Sequence, residues 1–310
     1  MQMAAPFAAS TGAAAMPLPA GIGMRAPHHV ALLEQRPPVG WLEIHAESYM
    51  GGGAALHYLE QARQHWPIAV HGTGLGLGGS EPPNTAHLDR LAALVARTEP
   101  LLVSEHLAWT GIDGRYYNDQ LPLPYTDETL EHCRRNVAAV MQRLQRPILI
   151  ENPATYLRYS ESHMSEVDFL TQLVASTGCG LLCDIGNIYV SSFNHIGAGA
   201  AHAVAEAYLE DLPRQAVRQL HLAGYREAEL DGGDAILIDD HGTMVPEPLW
   251  RLYRHAVQLF PEAETLIEWD SNIPPLSALV AEAALADRHR AATLDSSPNG
   301  IDEQGDEQAA

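Results

Sequence analysis

The chain has 310 residues, 46% of them hydrophobic, which is enough for one large core. Lys and Arg total 18 against 39 Asp and Glu, a formal net charge of -21. A surface this acidic repels phosphate backbones and argues against nucleic acid as a partner.

Eight short β-like runs follow one another along the chain: 21–25, 40–47, 67–72, 101–107, 146–152, 180–187, 218–225 and 264–270. Most begin apolar and end polar. Helical patterns lie between them, at 85–98, 126–144, 165–176, 246–260 and 274–286, the third opening on Ser165 as a plausible N-cap. Strands alternating with helices eight times imply a parallel sheet, and eight repeats predict closure into a (β/α)₈ TIM barrel, typically about 250 residues. A doubly wound open sheet ranks second, because no GxGxxG follows a strand.

Residues 1–19 are Ala- and Pro-rich, without a basic segment before an apolar one. They read as a disordered leader. The acidic stretch 290–310 reads as a disordered tail, leaving 20–289 as the barrel domain. The three cysteines, Cys133, Cys179 and Cys183, form no CxxC, so no disulfide framework or thiolate zinc site is expected and a reducing cytoplasm fits. No apolar run approaches the roughly 18–20 residues that cross a membrane.

In such barrels the chemistry sits at the C-terminal strand ends. Here nearly every strand delivers metal-compatible side chains there. The second carries Glu43, His45 and Glu47, all of one parity; the third ends in His71; the fourth carries Glu105 and His106. The fifth ends in Glu151 and Asn152, the sixth in Asp184 and Asn187. His221 lies in the seventh, Asp239, Asp240 and His241 in the loop after it, and Glu268 and Asp270 in the eighth. So many inward carboxylates must be protonated, hydrogen-bonded or bound to cations. Imidazole with carboxylate and no thiolate suits iron, manganese or zinc, and several bridging carboxylates favour a multinuclear centre. One His or Glu at a strand end is usually just a hydrogen-bonded polar residue; six or seven in succession are not. Cys183 has the opposite parity to Asp184 and is expected to face a helix. His28, His57, His65, His87, His132, His202, His255 and His289 fall in helical stretches, as surface or packing residues.

The Gly-rich segment 72–79 lacks the ending of a P-loop and reads as a close-approach loop beside the site. The connection 108–124 is long for a barrel. Its Trp109 and Tyr117 suit a lid or a substrate clamp, and a structural Ω-loop suits it equally.

Gly21-Ile-Gly-Met-Arg25, Glu43-Ile-His45, Val70-His-Gly72, Ser104-Glu-His106, Leu121-Pro-Leu-Pro-Tyr125, Ile150-Glu-Asn152, Cys183-Asp-Ile-Gly-Asn187, His221-Leu-Ala-Gly224, Ile238-Asp-Asp-His241 and Ile267-Glu-Trp-Asp270 occur in that order over residues 20–285. In these motifs the chain resembles the multinuclear non-heme iron-dependent oxidative enzymes, xylose-isomerase-like barrels that act in methanobactin and bufferin-type pathways. The resemblance implies two or three iron ions, O₂ as co-substrate, and a ribosomally made precursor peptide oxidised at cysteine. Outcomes in the family include oxazolone–thioamide formation, thiooxazole formation and excision of a cysteine carbon. It also implies a small partner protein that presents the peptide. Carried over by position, the implied ligands are His45, His71, Glu105, Glu151 or Asn152, Asp184, Asn187, His221, Asp239, His241 and Glu268. Asp184, Asp239 and His241 are the implied catalytic residues; Trp109, Tyr117 and Asp270 are expected to meet substrate.

The competing class is hydrolytic. Endonuclease IV-like barrels combine Asp-x-x-His and Asp-x-His spacings, and this chain keeps Asp239-x-His241 but has Asn187 where the other His would fall. A sugar isomerase would want a Lys near the metals, and no strand end offers one. A non-catalytic metal- or peptide-holding scaffold is the third class; iron content with O₂ uptake separates the first reading from the others.

Overall fold

The computed structural model describes residues 16–230 and 232–296. Eight parallel strands close into a barrel: β1 (Gly21–Gly23), β2 (Leu42–His45), β3 (Ile68–Gly72), β4 (Val103–His106), β5 (Leu149–Glu151), β6 (Gly180–Asp184), β7 (Val217–Leu222) and β8 (Glu264–Ile267). Each strand pairs with its neighbours in sequence, and β8 closes onto β1. The register sets His45 beside His71, His106 beside Glu151 and Asp184 beside His221, so the polar strand ends meet at one level.

The helices are α1 (His29–Gln35), α2 (Ala46–Tyr49), α3 (Gly53–Ala62), α4 (Thr85–Thr98), α5 (Asp127–Leu144), α6 (Glu166–Thr177), α7 (Ile185–Ile196), α8 (Ala198–Asp211), α9 (Glu247–Leu259) and α10 (Leu276–Asp295). Side-chain caps fix several starts: Asn84 accepts from the His87 amide, Thr126 from Thr129 and Ser165 from Asp168. Outward-facing Ile22, Ile44, Val70, Val103, Ile150, Cys183, Leu220 and Ile267 join the helices in the main apolar core. Cys183 thus faces the helices, as its parity requires.

Inside the barrel, Trp41, Ala69, Leu102, Leu149, Leu182 and Leu266 form a separate apolar layer, with Leu18 packed against it. Gly21 makes room for it: a Cβ there would lie 2.5 Å from the Trp41 indole. Above this layer the inward positions turn polar.

Several elements depart from the expected bounds. The second strand ends at His45, where the chain enters α2, so Glu47 leaves the barrel interior and meets His87 and the Thr73 amide instead. The sixth ends at Asp184, because its carboxylate caps α7 by accepting from the Asn187 amide; Asn187 therefore sits on the first turn of a helix. The connection 108–124 is a hairpin of Trp109–Ile112 and Arg115–Leu121, turned by Asp113 and Gly114, both at positive φ. A second hairpin, Arg226–Glu229 with Ala235–Ile238, precedes Asp239. The expected boundary at residue 290 falls inside α10: Arg290 is buried there and donates to the Leu18 carbonyl, while the Leu18 amide donates to Glu264. Residues 1–15 and 297–310, the bulk of the expected leader and tail, lie outside the described residues. No helix among the described residues is long and apolar enough to cross a membrane.

Candidate metal centre

Five triads of His, Asp and Glu lie with their ligand atoms within 4.8 Å of one another among the described residues: His71/His106/Glu151, Glu43/His221/Glu268, His45/Glu268/Asp270, Glu151/Asp184/His221 and Asp184/His241/Glu268. They overlap. Glu151 and Asp184 each belong to two and Glu268 to three, so the carboxylates link the triads into one continuous cluster. A cleft of about 420 Å³ opens above it, lined by Tyr116, Gln120, Tyr156, Asn187, Asp239 and His241 among others.

The first triad is built from three adjacent strands. Glu151 Oε2 lies 3.2 Å from His71 Nε2 and 3.0 Å from His106 Nε2. The other ring nitrogens are engaged: His106 Nδ1 donates to the Gly72 carbonyl at 3.2 Å, and His71 Nδ1 is hydrogen-bonded to Ser104 Oγ at 2.8 Å. Such outer bonds fix ring orientation and tautomer. His221 continues the chain of contacts: Nδ1 lies 2.9 Å from Glu268 Oε2 and 3.9 Å from Glu151 Oε1, and Nε2 lies 3.2 Å from Glu43 Oε1. His241 Nδ1 is 3.5 Å from Glu268 Oε2, and its Nε2 is 2.7 Å from Asp239 Oδ1.

The electrostatics tie the buried carboxylates to the buried imidazoles. Burial would raise Glu151, but His106, His71 and His221 outweigh it and hold the carboxylate at about 2. Burial pulls His71 down, and Glu151, with Glu43 and Glu268, lifts it to about 9. Burial pushes Asp184 up to about 8; Glu151 and Asp239 add to this and His241 opposes it. Burial also works on Glu268, yet His221 and His241 keep it well below the carboxylate range.

Five buried oxygens here, Glu43 Oε1, Glu151 Oε2, Asp184 Oδ2, Asn187 Oδ1 and Gln219 Oε1, accept no hydrogen bond. Close approach of imidazole to carboxylate without hydrogen-bond geometry is the arrangement left when lone pairs converge on a shared point. The donors are nitrogen and oxygen only. The three cysteines are buried and belong to none of the triads. The residues present therefore fit divalent iron, manganese or zinc.

The expected site residues divide in two. His45, His71, Glu151, Asp184, His221, His241, Glu268 and Asp270 are brought together, with Asp239 against His241 and Asn187 at the cleft. Glu105 is not. It points away from the barrel axis, accepts from the Leu75 and His106 amides and steadies the Gly-rich loop. Burial, reinforced by Glu47, raises its carboxyl to about 8. Its neighbour His106 takes the inward position, because inward and outward positions alternate along β4. Between Glu151 and Asn152 the structure places Glu151 inward; Asn152 instead exchanges hydrogen bonds with the Asp184 backbone, bracing two strand ends. Trp109 and Tyr117 do not line the cleft. Trp109 donates to the Pro122 carbonyl and stacks edge-on with Tyr117, holding the hairpin together, and of the hairpin's aromatics it is Tyr116 that lines the cleft.

Two ligand-type residues escaped the implied set. His106 shares parity with Ser104, opposite to the apolar Val103 and Leu107, a signal present in the sequence. Glu43 shares parity with His45 but lies a layer deeper, fully buried, bonded by Gln219 Nε2 at 2.6 Å.

Residues 19–291 match the model of a family described as RiPP precursor modification enzyme MbnB/TglH/ChrH. A UPF0276 protein of Bordetella parapertussis is 46% identical over 278 residues, 89% of this chain and 94% of that protein. Another, from Acaryochloris marina, is 42% identical over 270 residues, 87% of this chain and 94% of its own length. Among solved structures, endonuclease IV from Thermus thermophilus superposes with a TM-score of 0.53 at 15% identity, covering 89% of this chain and 99% of that one. A xylose isomerase-like TIM barrel protein from Mycobacterium smegmatis, in complex with magnesium, does so with 0.51 at 13%, covering 89% and 98%. At such identities these two speak for the fold, a xylose-isomerase-like barrel, as expected.

Proposed function

Because the chain belongs to the RiPP precursor modification enzyme family MbnB/TglH/ChrH, and so is an enzyme of precursor-peptide modification, we propose that it oxidises cysteine residues of its peptide with O₂ at a multinuclear iron centre. The observation that carries the metal reading is the chain of triads linked by Glu151, Asp184 and Glu268. His71, His106 and Glu151 would hold one ion; Asp184, His221, His241 and Glu268, with Asn187 at the cleft, would hold its neighbours. Bound iron supplies the redox capacity for attack at a cysteine β-carbon, which no side chain of this set supplies by itself.

The chain's own residues do the rest. Gly72 and Ser104 orient the rings of His106 and His71. Glu43 and Gln219 hold His221 from below. Asp239 is 20% exposed at the cleft, with Oδ1 2.7 Å from His241 Nε2; in this reading its carboxylate would accept the thiol proton. Tyr116 and Tyr156 line the cleft and would flank an entering peptide. A small partner protein presenting the peptide belongs to the same reading.

Protein purified without oxygen should carry more than one iron per chain and consume O₂ with a Cys-containing precursor peptide, whose mass change reports oxidation. Tightly bound zinc alone, with no gain from iron, would overturn the proposal and favour hydrolysis.

A further inference from the structure

The five triads are not equivalent. In Glu43/His221/Glu268 the neutral Gln219 amide also reaches Glu43 and His221, and among the described residues no cationic side chain other than histidine contacts more than one member of any of the remaining three. In the fifth, His45/Glu268/Asp270, a guanidinium reaches all three residues. Arg25 Nη2 lies 2.8 Å from His45 Nε2 and 3.2 Å from Glu268 Oε1, and Nε lies 2.7 Å from Asp270 Oδ1. Nη1 approaches the Glu43 carbonyl at 3.4 Å, so the group is anchored on both sides. The arginine side chain is only 10% exposed. Its slot is opened by Gly23, where a Cβ would lie 2.8 Å from Nη1.

The Glu268 carboxylate is divided by this arrangement. Oε1 faces Arg25 and His45, at 3.2 Å each. Oε2 faces the opposite way, to His221 at 2.9 Å and His241 at 3.5 Å. One oxygen is committed to the protein's own cation and the other to the cluster.

We propose that Arg25 is the resident cation of the His45/Glu268/Asp270 triad, so that His45 is not a metal ligand and ions bind only on the Oε2 side of Glu268. This rests on the metal reading above. A guanidinium stays charged across the working pH range, so its claim on the triad does not lapse on titration. A divalent ion bound by the same atoms would stand within contact distance of that positive charge, in a poorly screened interior, and repulsion excludes it. Arg25 is then a positioning residue. It draws Oε1 outward and thereby points Oε2 at His221 and His241. Its partner Asp270, 30% exposed, keeps the guanidinium neutralised while the cluster is loaded.

The test counts ions and does not need peptide turnover. Metal-free protein is equilibrated with excess Mn²⁺, and bound manganese per folded chain is measured by mass spectrometry after dialysis. His45→Gln should bind as many ions as the parent. Arg25→Gln, which frees the triad, should bind one more, and Arg25→Lys should match the parent. Melting curves establish folding; if Arg25→Gln does not fold, His45→Gln decides. Loss of one ion in His45→Gln would overturn the assignment, as would a folded Arg25→Gln with the parent count. A parent that binds no Mn²⁺ or iron would remove the metal reading and this assignment with it.

Discussion

Glu105→Gln separates the two readings of the fourth strand, ligand against loop support. Its carboxyl is buried and pushed up to about 8 from 4.5. A carboxyl raised in the fold contributes its full stability below the unfolded value, and loses it as pH rises through the folded value. Between pH 4.5 and 7 the parent therefore loses about 3 kcal/mol at this one residue, at about 1.4 kcal/mol per pH step. Above pH 8 the loss levels off near 5 kcal/mol, by the same arithmetic. Glutamine cannot ionise and escapes the loss. Its amide can still accept one of the two backbone bonds from Leu75 and His106, and any fixed cost of losing the other is the same at each pH. Urea unfolding of metal-free parent and variant at pH 5 and pH 7.5 isolates the effect. The variant should gain on the parent by about 3 kcal/mol across that interval, while its bound metal in the loaded form stays at the parent level. A constant offset at both pH values would show that Glu105 is ionised in the fold. Loss of metal would restore it to the ligand set.

Two further outcomes are expected. Asp184→Asn keeps an oxygen to cap α7 from Asn187, so the metal-free protein should melt at or above the parent temperature while metal binding is lost; chelation should lower the parent's melting temperature and leave the variant's unchanged. Tyr116→Ala should slow peptide oxidation with metal content intact, whereas Trp109→Ala, which breaks the hairpin's base at a half-buried site, should cost about 2 kcal/mol in urea unfolding. Equal turnover for Tyr116→Ala and parent would place the substrate elsewhere.

The barrel was legible because its two-residue alternation is strict: Leu42, Ile44 and Val70 face helices while Glu43, His45 and His71 face inward. The same rule, applied to β4, separates His106 from Glu105, since Glu105 shares its parity with Val103 and Leu107. Strand ends were harder, because nothing in a run such as Asp184-Ile-Gly-Asn187 announces that the carboxylate is already a helix cap. The hairpin was not expected, although Asp113-Gly114 is a turn signal; the segment's length and aromatics suggested a lid or clamp, or equally an Ω-loop. Arg25 was visible only as part of a motif; its place among His45, Glu268 and Asp270 depends on contacts spanning 245 positions. The depth of Glu43 likewise follows from closure of the barrel, which no local pattern encodes.

The apolar layer around Trp41 has a consequence for how the site feels charge from outside. Beneath the carboxylates and imidazoles, below Glu43 and Gln219, lies a layer of hydrocarbon and indole with Leu18 packed against it. Field lines from the cluster find little polarisable matter in that direction and are turned toward the mouth. A group entering the cleft therefore meets the potential of the whole assembly from one side, with little screening behind it. The floor of the barrel acts as an insulator, and it makes the open end the only direction in which the centre's charge is strongly expressed.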